Sequence, residues 1–298
     1  MSLYLYRCAR RGPEEVSTRA SRANRECKLL PGLAAVQLAP PTSGSQYAQV
    51  TEPVPAAEAA VEFDRVFLRL GGHDVLRDVS FQLIQGETAV LLGRSGAGKS
   101  SALRLVNRLL LPDSGTVRVG DRATSQWDPI RLRRGIGYVI QQIGLFPHHT
   151  VASNITLVPR LLGWEKARRE SRAAELLRLV GLPPEEFAER YPRQLSGGQQ
   201  QRVGVARALA ADPPILLCDE PFGALDPITR RDLQREFREL TSRLAKAVLF
   251  VTHDVREALL LGDRILVLEE GRLAFSGSRA EFESSSTSEV RALRDDEG

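Results

Sequence analysis

Cysteine is scarce in this chain of 298 residues, with Cys8, Cys27 and Cys218 as its whole supply. Thiols so few and so spaced make neither a disulfide framework nor a metal-ligand cluster, which points to a reducing compartment. Long apolar runs are missing too. No stretch approaches the roughly 20 residues that a helix needs to span a bilayer, so contact with a membrane must go through a partner or a surface. There is also no concentrated basic stripe with aromatics beside it, because 41 Lys and Arg are interspersed with 37 Asp and Glu. The net charge of +4 and pI near 9.2 permit acidic partners without requiring them. Direct nucleic-acid binding is not expected.

The length is enough for one large core or two lobes. Residues 1–60 read as a poorly ordered leader and linker, with scattered arginines giving way to Pro40-Pro41-Thr42-Ser43-Gly44-Ser45 and Pro53-Val54-Pro55. A translation start near Val50 is the alternative. The patterned region begins with two edge-strand candidates, Val61 to Phe67 and Val79 to Ile84, followed by an apolar strand from Thr88 to Leu92. A helix is predicted from Lys99 to Leu110 and a strand from Ile136 to Ile140. Apolar Ala167, Ala174, Leu177 and Val180 recur at helical spacing, placing a helical lobe at about 143–195. Two more short apolar runs, Ile215 to Asp219 and Ala247 to Val251, complete a parallel-rich sheet covered by helices, an α/β arrangement. Cys218 lies inside the first of these runs and reads as a small buried hydrophobe. From Ser276 onward the chain reads as a short helix and a frayed tail.

Gly93-Arg94-Ser95-Gly96-Ala97-Gly98-Lys99-Ser100, with Ser101 next, matches the phosphate-loop pattern GxxxxGKS between a strand and a helix. Glycines let backbone amides wrap phosphate oxygens, Lys99 brings a cation to the β- and γ-phosphates, and Ser100 can ligate magnesium. Asp219 ends an apolar strand, where its carboxylate can hold magnesium through water. Adjacent strand residues point apart, so Glu220 is free to approach an attacking water. Their bland reading is an ordinary turn before Pro221. Ser196, Gly197, Gly198 and Gln199 open another helix and could face an anion, or could form a simple cap. His253 beside Asp254 could likewise be a capping or surface pair.

The ordered set GRSGAGKS, LSGGQ, ILLCDEP, GALD and VTHD resembles the ATP-binding subunits of ATP-binding cassette transporters over about residues 61–275. The resemblance implies a RecA-like P-loop α/β lobe, an antiparallel β-subdomain and an inserted helical lobe. Two copies, or this chain and a homologous ATPase, would close head to tail over ATP and Mg2+. Ser196, Gly197, Gly198, Gln199 and Asp226 would then act in trans on nucleotide held by residues 93–101 of the other subunit. Glu220 would be the general base, His253 would position the γ-phosphate, and Gln141 would sense magnesium and the attacking water. The family's usual adenine-stacking aromatic is replaced by Leu70, which would cost stacking of roughly 0.5–1.5 kcal/mol; Phe67 or His73 could substitute through a shifted loop.

Within that family, YVIQQIGLFPHHTVASNI and LSGGQQQRVGVARALAADPPILLCDEPFGALDPITR are most similar to the ATPases of glycine betaine, carnitine, choline and proline importers. That implies transmembrane permease subunits, an extracytoplasmic solute-binding protein and a place on the cytoplasmic face of the membrane. Leu145-Phe146-Pro147-His148-His149 would be the edge that receives a permease's coupling helix, and Gln142 would support the loop. The 23 residues after Phe275 are too few for the paired regulatory domains of some relatives. The alternatives are an amino-acid importer, such as one for methionine, or a cassette ATPase acting on nucleic acid or the ribosome.

Overall fold

A computed structural model of the protein describes residues 59–223 and 225–295. The predicted leader therefore lies outside the described residues, apart from Ala59 and Ala60, which already belong to the first strand. In chain order the elements are β1 (Ala59–Leu70), β2 (His73–Ile84), β3 (Thr88–Leu92), α1 (Lys99–Val106), β4 (Ser114–Val119), β5 (Arg122–Ala123), α2 (Pro129–Arg134) and β6 (Ile136–Val139). Four helices follow, α3 (Val151–Ile155), α4 (Leu157–Leu161), α5 (Lys166–Leu179) and α6 (Pro184–Phe187), and then α7 (Gly197–Leu209). The remainder is β7 (Ile215–Asp219), α8 (Pro227–Leu244), β8 (Ala247–Thr252), α9 (Val255–Leu261), β9 (Arg264–Glu269), β10 (Arg272–Ser278), α10 (Arg279–Ser284) and α11 (Ser288–Asp295).

Two sheets result. The antiparallel sheet has the order β2-β1-β4-β5, and the larger one runs β10-β9-β3-β8-β7-β6. In the larger sheet all pairings are parallel except that of the hairpin strand β10 with β9. Its strands β3, β7 and β8 are buried on both faces, and successive residues serve different cores. Val90, Leu92, Leu216, Val248 and Phe250 face the helical lobe, whereas Ala89, Leu91, Leu217, Leu249 and Val251 face α1 and the antiparallel sheet. That is the two-residue period of a strand applied to a two-sided sheet, and it explains the unbroken apolar runs.

Four expectations differ from the structure. The first strand is not at an edge, because β4 pairs along its other side; a bulge between Asp64 and Phe67 hides the alternation that would have shown its full length. The helix expected to reach Leu110 ends at Val106. Asn107 caps it, the amides of Leu109 and Leu110 both turn back to the carbonyl of Arg104, and Pro112 lies beyond. The segment from Ser276, expected as a short helix and a frayed tail, is through Asp295 the end of β10 and two helices. Ser278 and Glu281 form a capping box at the start of α10, while Phe282 and Val290 are fully buried, Phe282 edge-on to Phe275 at 5.7 Å. The helical lobe itself begins only at Val151. The loop before it is held by the buried Asn154, whose amide accepts from the N–H of Phe146 at 2.7 Å and donates to the carbonyls of Phe146, His149 and Thr150.

Candidate functional site

In an open parallel sheet the segments leaving the C-terminal ends of neighbouring strands meet in one crevice. Here β3, β8, β7 and β6 are consecutive neighbours. They deliver, in turn, the loop 93–98, His253, the pair Asp219 and Glu220, and Gln141. Strand order thus assembles residues that are up to 160 positions apart in the chain.

The phosphate-type loop has a conformation that its glycines make possible. Gly96 and Gly98 have φ of +84° and +103°, a region costly for residues with a Cβ. A Cβ on Gly93 would lie 2.2 Å from the carbonyl oxygen of Leu268. Arg94, Ser95 and Gly96 are exposed at the loop crest, whereas Ala97, Gly98 and Lys99 are buried. The Nζ of Lys99 donates to the carbonyls of Gly93 at 2.6 Å and Arg94 at 2.8 Å. Burial lowers the pKa of this ammonium, and the charges of Glu220 and Asp219 oppose that drop.

Ser100 and Asp219 are in direct contact, the hydroxyl of Ser100 donating to Oδ1 at 2.8 Å. The second oxygen, Oδ2, accepts from the phenol of Tyr138 at 3.4 Å. Burial and the neighbouring Asp219 push the Tyr138 phenol up to about 12. Hydroxyl and carboxylate oxygens are hard donors suited to Mg2+, which usually keeps several waters and substrate phosphates as its other ligands. Among the described residues no cluster of three or more His, Cys, Asp or Glu could make an all-protein metal cage. The donor set therefore fits magnesium shared with a phosphate.

Glu220 stands just past β7 with φ of +42°, an unusual backbone state for a side chain of its size. Its amide is tied to the carbonyl of Val251 at 3.0 Å. The carboxylate oxygen Oε2 lies 3.2 Å from Nδ1 of His253 and accepts from Nε2 of Gln141 at 3.4 Å. Gln141 thus meets the proposed base rather than the Ser100–Asp219 pair. Asp219 and Glu220 face different partners, as adjacent strand-end residues should.

Ser196 through Gln199 occupy their own helix start. The Ser196 hydroxyl accepts from the Gln199 amide at 3.3 Å, and the Gln199 side chain accepts from the Ser196 N–H at 2.9 Å, a complete capping box. Gly198 has a further task, since a Cβ there would lie 2.7 Å from Cγ2 of Thr229 in α8. Asp226 caps α8 by accepting from the Thr229 N–H at 3.1 Å, and the Thr229 hydroxyl together with this amide holds its carboxyl below the usual range. Ser101 lies in α1 beside Ser100, partly buried. Leu70 is exposed at the hairpin tip opposite His73, with Phe67 exposed nearby on the same strand.

Several residues joined to this site carry no motif. Tyr138 is one. Arg207 of α7 is another, donating to the carbonyls of Ile143 and Gly144 at 2.6 Å each and so gripping the segment after Gln141. Glu257, behind His253, is a third, beside Thr252 of the VTHD motif. Their side chains point inward from elements far apart in sequence, a relation that only the sheet order reveals.

Residues 76–223 match the family model described as ABC transporter. The chain is 53% identical over 205 residues to the osmoprotectant import ATP-binding protein OsmV of Salmonella typhimurium, covering 69% of this chain and 54% of that protein. It is 50% identical to the glycine betaine/carnitine/choline transport ATP-binding protein OpuCA of Bacillus subtilis, over 71% of this chain and 56% of that one. It is also 47% identical to the glycine betaine uptake system ATP-binding protein YehX of Escherichia coli, over 73% of this chain and 70% of that one. The chain spans about half the length of the first two relatives. The solved dimeric structure of MJ0796, a bacterial ABC transporter cassette, superposes with a TM-score of 0.66 at 35% identity, over 74% of this chain and 98% of that one. The same cassette solved in a post-hydrolysis state with ADP and Pi superposes equally well. With the phosphate loop, strand order and composite of polar strand ends already in place, these likenesses show that the chain belongs to the family of ATP-binding subunits of ABC transporters.

Proposed function

We propose that this chain binds and hydrolyses ATP to energise an importer of glycine betaine or related quaternary amines. The observation that carries the ATPase reading is Glu220, set between His253 and Gln141 and beside the Ser100–Asp219 pair. The solute class is supported by the relatives, whose names refer to osmoprotectant, glycine betaine, carnitine and choline transport. Two cassettes, identical or homologous, sit on the cytoplasmic face of the membrane against transmembrane permease subunits, which an extracytoplasmic solute-binding protein supplies from the other side. Among the described residues no helix is long and apolar enough to cross a membrane itself.

In this mechanism the amides of residues 93–99 and the Lys99 ammonium hold the nucleotide's phosphates. Ser100, and Asp219 through water, would hold magnesium, which would supply neutralisation of phosphate charge when bound. The Glu220 carboxylate accepts the proton of the attacking water, Gln141 orients that carboxylate, and His253 donates a hydrogen bond to the transferring phosphoryl group. The start of α7, with Ser196, Gly197, Gly198 and Gln199, and the Asp226 turn complete the site of the other cassette. The half-exposed Phe146, on the loop pinned by Asn154, faces the permease.

Glu220→Gln tests the catalytic reading: nucleotide binding persists, steady-state turnover falls sharply, and an ATP-bound dimer accumulates on size-exclusion chromatography. Normal turnover would remove Glu220 as the base. Purification with native membranes followed by identification of the bound permease tests the transport reading. Co-purification with ribosomes or DNA and no permease would overturn it.

A further inference from the structure

His253 has 62% of its side chain exposed, so packing does little to fix its ring. Apart from its 3.2 Å contact with Glu220, its direction comes from the backbone of the turn that bears it. Thr252, almost fully buried at the end of β8, accepts the Asp254 N–H on its hydroxyl oxygen at 3.1 Å. The carboxylate of Glu257, one turn into α9, lines the same cleft as Thr252. A hydroxyl that accepts the Asp254 N–H still has its own proton to donate, and this carboxylate is the acceptor beside it.

Glu257 is itself buried, at 6% exposure. Its Oε1 accepts from Nε2 of Gln234 in α8 at 2.9 Å. One turn earlier on that helix, Arg230 donates to the carbonyls of Gly223 at 3.2 Å and Leu225 at 3.1 Å, in the turn that follows Glu220. The helix α8 therefore grips the turn after Glu220 through Arg230 and the turn of His253 through Gln234, Glu257 and Thr252. Glu220, Arg230, Thr252, His253 and Glu257 line one small cleft.

A purely structural role as a helix cap does not account for Glu257. It sits at the third position of α9, where a glutamate in a capping box reaches back to the N–H of the cap residue. Here the N–H of the cap residue, Asp254, goes to Thr252 instead, and the carboxylate is turned toward α8.

We infer that Glu257 is a positioning residue for His253, acting through Thr252 and anchored on Gln234, so that the distance between His253 and Glu220 is set by α8. The inference rests on the roles proposed above for His253 and Glu220. Glu257→Gln keeps the shape but leaves one acceptor for two donors. Thr252→Val removes the hydroxyl and keeps the branched shape, and Thr252→Ser restores the hydroxyl.

The experiment measures kcat, KM for ATP and nucleotide affinity for the full chain, alone and in a His253→Ala background. Glu257→Gln and Thr252→Val are each expected to lower kcat by about tenfold or more, since small displacements of reacting groups carry penalties of this order. Nucleotide affinity stays within about twofold, Thr252→Ser recovers most of the loss, and neither change slows the His253→Ala enzyme further. Losses that multiply with that of His253→Ala would overturn the inference, as would normal kcat in both variants beside an impaired His253→Ala. If Glu257→Gln fails to fold, Thr252→Val decides by the same criteria. Normal turnover of His253→Ala itself would sink the role of His253, and this inference with it, by a different pattern of results.

Discussion

Replacing Gly98 with alanine should destabilise the protein far more than the same change at Gly96, two residues away in the same loop. Both glycines hold positive φ, +84° at Gly96 and +103° at Gly98, so each alanine incurs backbone strain of about 1–2 kcal/mol. The surroundings then separate them. A Cβ on Gly96 meets nothing within 4 Å, whereas one on Gly98 lies 2.7 Å from the carbonyl oxygen of Val75 and 2.8 Å from Cδ2 of Leu76. That carbonyl belongs to β2 and cannot withdraw easily, because the next strand residue but one, Arg77, is bonded through its N–H to Gly271 at 2.7 Å. Overpacking against a fixed backbone adds about 1–3 kcal/mol. The expected costs are therefore about 1–2 kcal/mol at Gly96 and about 2–5 kcal/mol at Gly98. At about 2–4 °C per kcal/mol for a chain of this size, calorimetry of the nucleotide-free protein should show a clearly larger fall in Tm for Gly98→Ala. Equal melting of the two variants would refute the idea that the loop is fixed by contact with β2 and not by its own φ angles alone.

Phe282→Ala should cost about 3–5 kcal/mol in denaturant unfolding, since this ring is fully buried; an unchanged midpoint would mean that α10 is not part of the core. Gly198→Ala should lower stability by overlap with the Thr229 methyl, and Thr229→Ser should return part of that loss, because serine lacks the clashing methyl group; additive losses in the double variant would contradict the close approach. Tyrosine ultraviolet titration should show one phenol still protonated at about pH 11, where an unperturbed tyrosine with a pKa of about 10 has ionised, and Tyr138→Phe should abolish that late component. The sign follows from the raised folded value: the unfolded chain releases this proton first, so the contribution is present in full below about pH 10 and is lost as pH rises toward about 12.

Much of the site was legible because its residues carry motifs with fixed spacing. Gly93 to Ser100, Asp219 with Glu220, and His253 are all identifiable in the chain alone, and the sheet order places them in one crevice. The phosphate loop could be read locally, since glycines and a lysine at set intervals are the chemistry itself. Glu257 and Gln234 could not, because a buried glutamate or glutamine on an apolar background has no signature until two helices and a strand meet. In the fold, two-sided burial made β3, β7 and β8 conspicuous as apolar runs. The stretch Arg264 to Glu269 is just such a run, followed by Glu270-Gly271 and a second strand, and it forms a hairpin that sequence reading passed over. The short helix expected after Ser276 is α10, its start written in the spacing of Ser278 and Glu281, whereas the serine-rich stretch beyond it hides the second helix, α11. The adenine contact stays outside this legibility, because Leu70 and Phe67 sit on an exposed hairpin whose sequence names no partner.

The capping box at Ser196 has a kinetic consequence. Since Ser196 and Gln199 satisfy each other within one chain, the first turn of α7 is shaped before any second cassette arrives. A partner's nucleotide would meet amides already aligned, and no loop would have to surrender conformational freedom on encounter. Little entropy is then left to lose at this point, so the barrier to pairing would lie in desolvation and charge repulsion between two polar faces. Salt concentration, more than temperature, should set the rate at which two such chains come together.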